Sequence, residues 1–175
     1  YKDLIHIGIG VDYGQLNATT YQAFGLNQSK MRIEGLPEYY HSGRESGHQK
    51  PPSEYAKDFK EYYEEIERLT GKRIEAEEIK RILPRVKIKL AENSVKLGIE
   101  RTQKFFSFMK LFICNEQVHL KEELGLYKYN KDLLDKGKEE VVKTNDHCCD
   151  AMRYYIMGMW RYLRLLLPAT ERGDK

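Results

Sequence analysis

The sequence opens with a strand pattern, His6-Ile7-Gly8-Ile9-Gly10-Val11, that runs directly into the turn Asp12-Tyr13-Gly14. The alternation of the first segment predicts a β-strand, and the aspartate before a glycine predicts that the strand ends in a tight turn. Such a strand end exposes the carboxylate of Asp12 at the carboxyl edge of a sheet. Asp12 is therefore the first candidate for chemistry.

Two further strands follow with short connections. Residues 18–26 are rich in Thr, Tyr and Phe and lead into the turn Asn27-Gln28-Ser29. Residues 31–40 form the next strand pattern, in which Pro37 indicates a sheet edge or a bulge. Three consecutive strands with short connections predict an antiparallel meander.

The rest of the chain alternates between helical and strand patterns. Helices are predicted over residues 53–70, capped by Ser53, over 76–83 and 115–124, from Asn93-Ser94 onward, and over 146–167 after a cap at Thr144-Asn145. Residues 86–90 and 112–114 are predicted strands, and residues 130–143 a charged loop. The expected fold is an α/β domain with a mixed sheet flanked by helices.

Composition and charge exclude several classes of protein. The 175 residues suffice for a single domain, and 41% hydrophobic with 33% charged residues is typical of a globular protein. No apolar run approaches the roughly 20 residues that span a bilayer, and no signal-peptide pattern opens the chain. The net charge of +3 permits nucleic-acid binding without requiring it.

The three cysteines, Cys114, Cys148 and Cys149, indicate reduced thiols. An odd count with two adjacent residues does not suit a disulfide framework, and the spacing differs from that of zinc sites. We expect a reducing, cytosolic compartment and small buried thiols on a helix.

The final predicted helix carries two more candidate residues. Asp150 follows His147 by about one helical turn, so the two side chains share a helix face. If this turn packs against the first strand, Asp12 and Asp150 converge, and such carboxylates repel each other unless a divalent cation lies between them. Each residue also has a structural alternative, as a turn residue, a solvated helix position or a packing histidine.

Several motifs resemble the nuclease domain of tailed-phage terminase large subunits. The most specific is Asn145-Asp146-His147-Cys148-Cys149-Asp150-Ala151-Met152-Arg153-Tyr154, and Gly10-Val11-Asp12-Tyr13-Gly14 is a weaker one. Between them, the family's order is followed by Glu38-Tyr39-Tyr40-His41-Ser42-Gly43, Ser53-Glu54-Tyr55-Ala56 and Glu92-Asn93-Ser94-Val95-Lys96-Leu97-Gly98-Ile99. The resemblance covers residues 6–157.

The resemblance implies an RNase H-like fold and a metal-dependent endonuclease that cuts concatemeric double-stranded viral DNA during genome packaging. Asp12 and Asp150 take the family's first and last metal-ligand positions, for two Mg²⁺ or Mn²⁺ ions. His147 takes the position of the histidine beside the last ligand, where it orients water or phosphate. Two such ions, about 3.5–4 Å apart, activate a water and stabilise the leaving oxygen of a phosphodiester.

The same resemblance implies partners and a location. The partners are double-stranded DNA, the terminase ATPase domain, a small terminase subunit and a portal protein, in the cytoplasm of the infected bacterial host. No membrane partner is expected. The sequence lacks the G-x-x-x-x-G-K-[ST] phosphate loop, so we expect a single nuclease domain over residues 1–175 without the ATPase domain.

One position departs from the family pattern. The family carries a further metal-binding Asp on a central strand just after the first helix, but only Gly71-Lys72-Arg73-Ile74-Glu75 separates the two helical patterns here. Either Glu75 takes the catalytic position, or the strand is missing. Absence is favoured, because residues 76–83 resemble the helix that should follow the strand.

Basic residues are predicted to contact DNA phosphates. Lys87 and Lys89 share one face of a predicted strand, and Arg44 lies in a polar loop. A solvated surface explains each of them equally well.

Two other functions are compatible with the sequence. One is a nuclease-like fold that binds nucleic acid without cleaving it, which the missing acidic strand would favour. The other is a fragment of an actin-like ATPase or sugar kinase, because Asp12-Tyr13-Gly14 with Asn17 resembles a phosphate-binding turn. Such enzymes need a second domain to close over the nucleotide.

Overall fold

Five strands and five helices make up the described part of the computed structural model, which covers residues 1–14, 17–72, 75–76 (backbone alone), 94–128, 135, 141–142 and 145–173. The strands are β1 (Leu4–Asp12), β2 (Ala18–Asn27), β3 (Arg32–Ser42), β4 (Glu75–Ala76) and β5 (Leu111–Phe112). The helices are α1 (Gly43–Ser46), α2 (Pro52–Thr70), α3 (Val95–Ser107), α4 (Val118–Leu126) and α5 (His147–Leu163), followed by 3₁₀ turns at Arg164–Leu166 and Ala169–Glu171.

The strands form one mixed sheet in the order β4-β1-β2-β3-β5. β1, β2 and β3 pair antiparallel, which confirms the predicted meander, whereas β4 pairs parallel to β1 and β5 parallel to β3. Because β1 and β3 run in the same direction, their carboxyl ends at Asp12 and Ser42 lie at the same edge of the sheet. The expected α/β fold with a mixed sheet flanked by helices is confirmed.

β3 contains the irregularity that Pro37 predicted. Gln22 pairs with Glu38 and Phe24 pairs with Gly35, so one intervening residue of β2 lies opposite two residues of β3. One of those two is Pro37, which has no N–H to donate to a ladder. The proline therefore lies at a β-bulge.

Each face of the sheet packs against its own hydrophobic core. On one face, α2 buries Phe59, Tyr62 and Ile66 against the side chains of Ile7 and Ile9. On the other face, α5 lies across β1 and β2 and is buried along most of its length, as its apolar composition predicted. α3 and α4 complete this second core.

Helix boundaries follow the sequence predictions with small corrections. α2 ends at Gly71, which adopts a left-handed φ of 67°, but it begins at Pro52 rather than after a Ser53 cap. A proline at the first helical position loses no intrahelical hydrogen bond and has a φ suited to the helix. α3 follows Ser94 as predicted, although Phe105 rather than Phe106 is its buried aromatic residue.

The strand between the first two helical patterns is present, so the prediction of its absence is wrong. Glu75 pairs with Gly8 and Ala76 pairs with Ile9, in parallel with β1. Ala76 was expected to open a helix, and strand pairing outweighs its local helix propensity. The rest of that predicted helix, the predicted strand over 86–90 and nearly all of the loop over 130–143 lie outside the described residues.

The cysteines largely follow the prediction. Cys148 and Cys149 are buried in α5, whereas Cys114 is half-buried and follows β5 rather than lying on a helix. Burial raises the pKa of all three thiols, that of Cys114 to about 11, so they stay protonated at neutral pH. Separately, none of the described helices has the length and apolar character needed to cross a membrane.

Candidate functional site

The candidate site lies where the end of β1 crosses the first turn of α5. A Cβ added at Gly10 would lie 1.8 Å from the carbonyl oxygen of Ala151, so the backbones of the strand and the helix are in direct contact. Only glycine permits so close an approach. Asp12 lies two residues beyond Gly10 on the strand, and Asp150 directly precedes Ala151. The crossing therefore brings both predicted metal ligands to one edge of the sheet.

Asp12 and His147 are joined by a hydrogen bond. The Nδ1 of His147 lies 2.7 Å from Oδ2 of Asp12, and the two side chains are 19% and 22% exposed, respectively. This hydrogen bond is the main cause of a raised pKa at His147; partial burial opposes it, and the negative charge of Asp12 adds to it. When Nδ1 donates to Asp12, the neutral imidazole presents Nε2 as an acceptor.

Asp150 is held by Arg153 on the same helix. The Nη2 of Arg153 lies 3.0 Å from Oδ1 of Asp150, and both side chains are almost fully buried. Gly98 of α3 makes room for the arginine, because a Cβ there would lie 2.5 Å from Cγ of Arg153. Asp150 is thus not a solvated helix position but half of a buried ion pair, and such a pair is destabilised strongly by the loss of one partner.

Glu123 of α4 contacts the first turn of α5. Its Oε2 accepts hydrogen bonds from the backbone N–H groups of Cys148, at 2.7 Å, and Cys149, at 3.0 Å. Burial raises the pKa of Glu123, while these hydrogen bonds oppose the shift. The predicted cap at Thr144-Asn145 is wrong, because Asp146 is the N-cap and makes no side-chain cap hydrogen bond. Sequence analysis missed Glu123, since no local pattern signals a cap supplied by another helix.

Tyr154 lies close to both aspartates. Burial raises the pKa of its phenol, the negative charges of Asp150 and Asp12 raise it further, and Arg153 opposes them. One phenol thus lies in the electrostatic field of both carboxylates.

Glu75 is not brought beside Asp12. β4 runs parallel to β1, so its carboxyl end points to the same edge of the sheet, but its register aligns Glu75 with Gly8. Gly8 precedes Asp12 by four residues, which is roughly 13 Å along a strand. This separation is too large for both carboxylates to bind one ion. Two further acidic residues, Glu77 and Glu78, follow Ala76 in the sequence and lie outside the described residues.

The donor atoms suit a hard divalent cation, although the described residues do not complete a metal site. Asp12 and Asp150 offer carboxylate oxygens, the ligands that Mg²⁺ and Mn²⁺ prefer. Within the described ranges, no group of three or more His, Cys, Asp or Glu side chains could hold a metal ion. The chemistry of the donors fits, and a third acidic ligand has to come from elsewhere in the chain.

Of the predicted DNA contacts, the structure places Arg44. It is exposed in α1, directly after the carboxyl end of β3 and thus at the same sheet edge as Asp12. Lys87 and Lys89 lie outside the described residues.

Solved structures of phage terminases share this fold. The large terminase from a thermophilic bacteriophage is 25% identical, with a TM-score of 0.76 over 89% of this chain, which spans 40% of that terminase. The P22 large terminase nuclease domain is 16% identical, with a TM-score of 0.65, and the match covers 94% of this chain and 87% of that domain. The large terminase nuclease domain from bacteriophage SPP1, solved with bound Mn, is 18% identical, with a TM-score of 0.54 and coverages of 87% and 86%.

No curated protein matches the chain. A family model described as "Terminase RNAseH like domain" matches residues 12–157, a range that includes Asp12, His147 and Asp150. The match confirms the resemblance that the sequence motifs indicated, and nothing among these similar proteins supports the actin-like alternative. With most of its length matched, the chain belongs to the family of terminase RNase H-like domains.

Proposed function

We propose that this chain is a terminase nuclease domain that cleaves double-stranded viral DNA during genome packaging, with Mg²⁺ or Mn²⁺ as cofactor. The observation that supports this most strongly is the 2.7 Å hydrogen bond between His147 and Asp12, at the point where β1 crosses α5. It combines a carboxylate able to bind a cation with an imidazole able to hold a water or a phosphate. Bound Mn in the SPP1 nuclease domain supports a divalent cation.

Each residue of the site has a distinct proposed role. Asp12 and Asp150 would hold the metal ions, two by the family's pattern, which supply an activated water and charge stabilisation to phosphodiester hydrolysis. His147 keeps Nδ1 on Asp12 and uses Nε2 to orient a water or a phosphate oxygen. Arg153 keeps the carboxylate of Asp150 in a fixed direction through the buried ion pair.

A third carboxylate is expected from the acidic run that begins in β4. Glu75 is the predicted residue, and Glu77 and Glu78 are the other candidates close to it in the sequence. The register of β4 sets Glu75 well back from Asp12. Separate Gln variants of the three glutamates would identify the ligand as the one whose loss removes metal-dependent cleavage.

The wider assignment follows from the relatives. The match covers 87% and 86% of the P22 and SPP1 nuclease domains, which supports a single nuclease domain over residues 1–175. We infer that it works with the terminase ATPase domain, a small terminase subunit and a portal protein in the cytoplasm of the infected host. Arg44, Lys87 and Lys89 are the proposed DNA contacts.

Nicking of supercoiled plasmid tests the proposal. Wild-type protein should nick the plasmid with Mn²⁺ or Mg²⁺ and not with EDTA, and Asp12→Asn and Asp150→Asn should each abolish nicking while leaving the fold intact. Asp3→Asn is the control, because Asp3 is exposed at the opposite end of β1. Undiminished nicking by either site variant would contradict the assignment.

A second function is favoured by one observation. The described residues form no group of three or more metal-ligating side chains, which suits a domain that binds nucleic acid without cutting it. Such a domain would shift a DNA duplex in a binding assay and leave supercoiled plasmid intact with either metal. Metal-dependent nicking by the wild-type protein would exclude this alternative.

A further inference from the structure

The N-termini of α4 and α5 share an unusual form of capping. Neither N-cap residue, Gln117 for α4 or Asp146 for α5, makes a side-chain cap hydrogen bond. The first N–H groups of a helix have no partner within the helix and need an acceptor from outside. In both helices that acceptor is a glutamate from an element that precedes the helix in the chain.

Glu38 of β3 caps α4. Its carboxylate accepts the backbone N–H groups of His119, at 2.7 Å, and Leu120, at 3.2 Å, which are the second and third residues of the helix. The ring Nδ1 of His119, at 2.8 Å, and the side-chain amide of Gln22, at 2.8 Å, also contact this carboxylate. α4 is therefore attached at its N-terminus to the middle of the sheet.

Glu123 of α4 caps α5 at the equivalent positions. The N–H groups of Cys148 and Cys149, the second and third residues of α5, both donate to its Oε2. Glu123 is only 5% exposed. A carboxylate at a helix N-terminus also interacts favourably with the positive end of the helix dipole.

The contacts close a ring around the candidate site. Glu38 joins β3 to α4, Glu123 joins α4 to α5, and His147 at the start of α5 joins the helix to Asp12 of β1. Strand pairing completes the ring, because Gly10 pairs with Gln22 and Gln22 pairs with Glu38. The first turn of α5 thus has two polar attachments, one to the sheet through His147 and one to α4 through Glu123.

We propose that Glu123 is a positioning residue, which caps the first turn of α5 and thereby holds the His147 imidazole against Asp12. As a contribution to nuclease activity, this role rests on the proposed function, whereas the effect on the His147–Asp12 contact does not. Without the cap, two N–H groups beside a buried carboxylate site lose their acceptor, which favours unwinding of the turn. His147 and Asp150 both lie in that turn.

Three substitutions separate geometry from charge. Glu123→Leu removes the acceptor at similar size. Glu123→Gln keeps a carbonyl oxygen at the same reach without the charge, and Glu123→Asp keeps the charge but withdraws the oxygens by one methylene. A positioning role predicts that Gln retains the wild-type behaviour and that Leu and Asp lose it. Glu122→Leu is the matched control, because Glu122 is the exposed neighbour on the same helix.

The primary readout is the His147 imidazole in the metal-free protein. Its Nδ1 proton and ring nitrogens are followed by NMR, assigned by their loss in His147→Gln, while circular dichroism verifies that each variant is folded. We expect the resonances of the hydrogen-bonded ring to move to those of a solvated imidazole in Glu123→Leu and Glu123→Asp. They should stay in place in Glu123→Gln and Glu122→Leu.

The second readout is Mn²⁺ affinity by calorimetry. Loss of a residue that orients metal ligands typically weakens metal binding by about 10- to 100-fold, so we expect a weakening of that order in the Leu and Asp variants. An unchanged His147 spectrum in either folded variant would overturn the positioning role, and the Asp variant decides the matter if Leu does not fold. A shifted spectrum in a protein that never nicks DNA would reject the nuclease and keep the positioning role.

Discussion

At the scale of single residues, His147 is the group whose charge responds most directly to the fold of the site. The hydrogen bond to Asp12 raises the pKa of His147 above its usual value of about 6.5. The metal-free folded protein therefore binds the proton more tightly than the unfolded chain does. By linkage, this stabilisation is fully present below the unfolded pKa and is lost as the pH rises through the folded pKa.

A pH series of urea denaturation measures this coupling. The free energy of unfolding that His147→Gln removes should be larger at about pH 5.5 than at about pH 8.5, because the charged pair with Asp12 exists only at the lower pH. His48→Gln is the control, since His48 is largely exposed in the loop before α2. A loss from His147→Gln that is the same at both pH values would show that the pair contributes no charge-dependent stability.

The sequence allowed some of these residues to be predicted and concealed others. Asp12, His147 and Asp150 are visible because a strand end and a helical spacing are local patterns. Arg153 lies within the quoted motif, yet its ion pair with Asp150 depends on room that Gly98 leaves on another helix. Glu123 has no local signal at all, because its partners lie on α5, across a long sequence separation.

At the scale of elements, the approach of β1 to α5 depends on Gly10. An added methyl group would overlap the carbonyl of Ala151, a backbone atom that cannot move without shifting the helix. Overpacking of this kind costs about 1–3 kcal/mol. We expect Gly10→Ala to lower the free energy of unfolding by at least that amount and to reduce plasmid nicking, because the helix carrying Asp150 moves away from Asp12.

The matched control for this prediction is Gly125→Ala. Gly125 lies in α4 with no atom within 4 Å of the position that a Cβ would take. Alanine there should stabilise the helix by roughly 0.5–1 kcal/mol. Thermal and urea denaturation of the two variants would measure both changes. A Gly10→Ala protein as stable and as active as wild type would mean that the helix can shift without affecting the site.

The elements themselves were predictable where periodicity is strong. β1, β2, β3 and α2 follow alternating or helical patterns over many residues, and the structure has them close to the predicted bounds. β4 was missed because Glu75–Ala76 is short and its pairing with β1 comes from a distant part of the chain. Local propensity cannot report such pairing, and the adjoining residues have a helix-forming composition.

At the scale of the whole molecule, the candidate site belongs to one face of the sheet. α5 and α4 hold His147, Asp150 and Glu123 on the face opposite α2. β1 contributes to both sides, with Ile7 and Ile9 packed towards α2 and Asp12 in contact with α5. A ligand bound at Asp12 and Asp150 thus contacts two elements that come together only in the folded chain.

Metal binding should therefore stabilise the fold as a whole. A ligand that binds only the folded state, at 100 times its dissociation constant, raises the free energy of unfolding by about 2.7 kcal/mol. We expect Mn²⁺ to do so for wild-type protein and for Asp3→Asn, whose exposed side chain accepts a hydrogen bond from Ser29 away from the site. Asp12→Asn should lose most of the gain at the same Mn²⁺ concentration, because one ligand is missing. Urea denaturation with and without Mn²⁺ measures the difference without any DNA, and equal stabilisation of all three proteins would locate the metal outside the β1–α5 crossing.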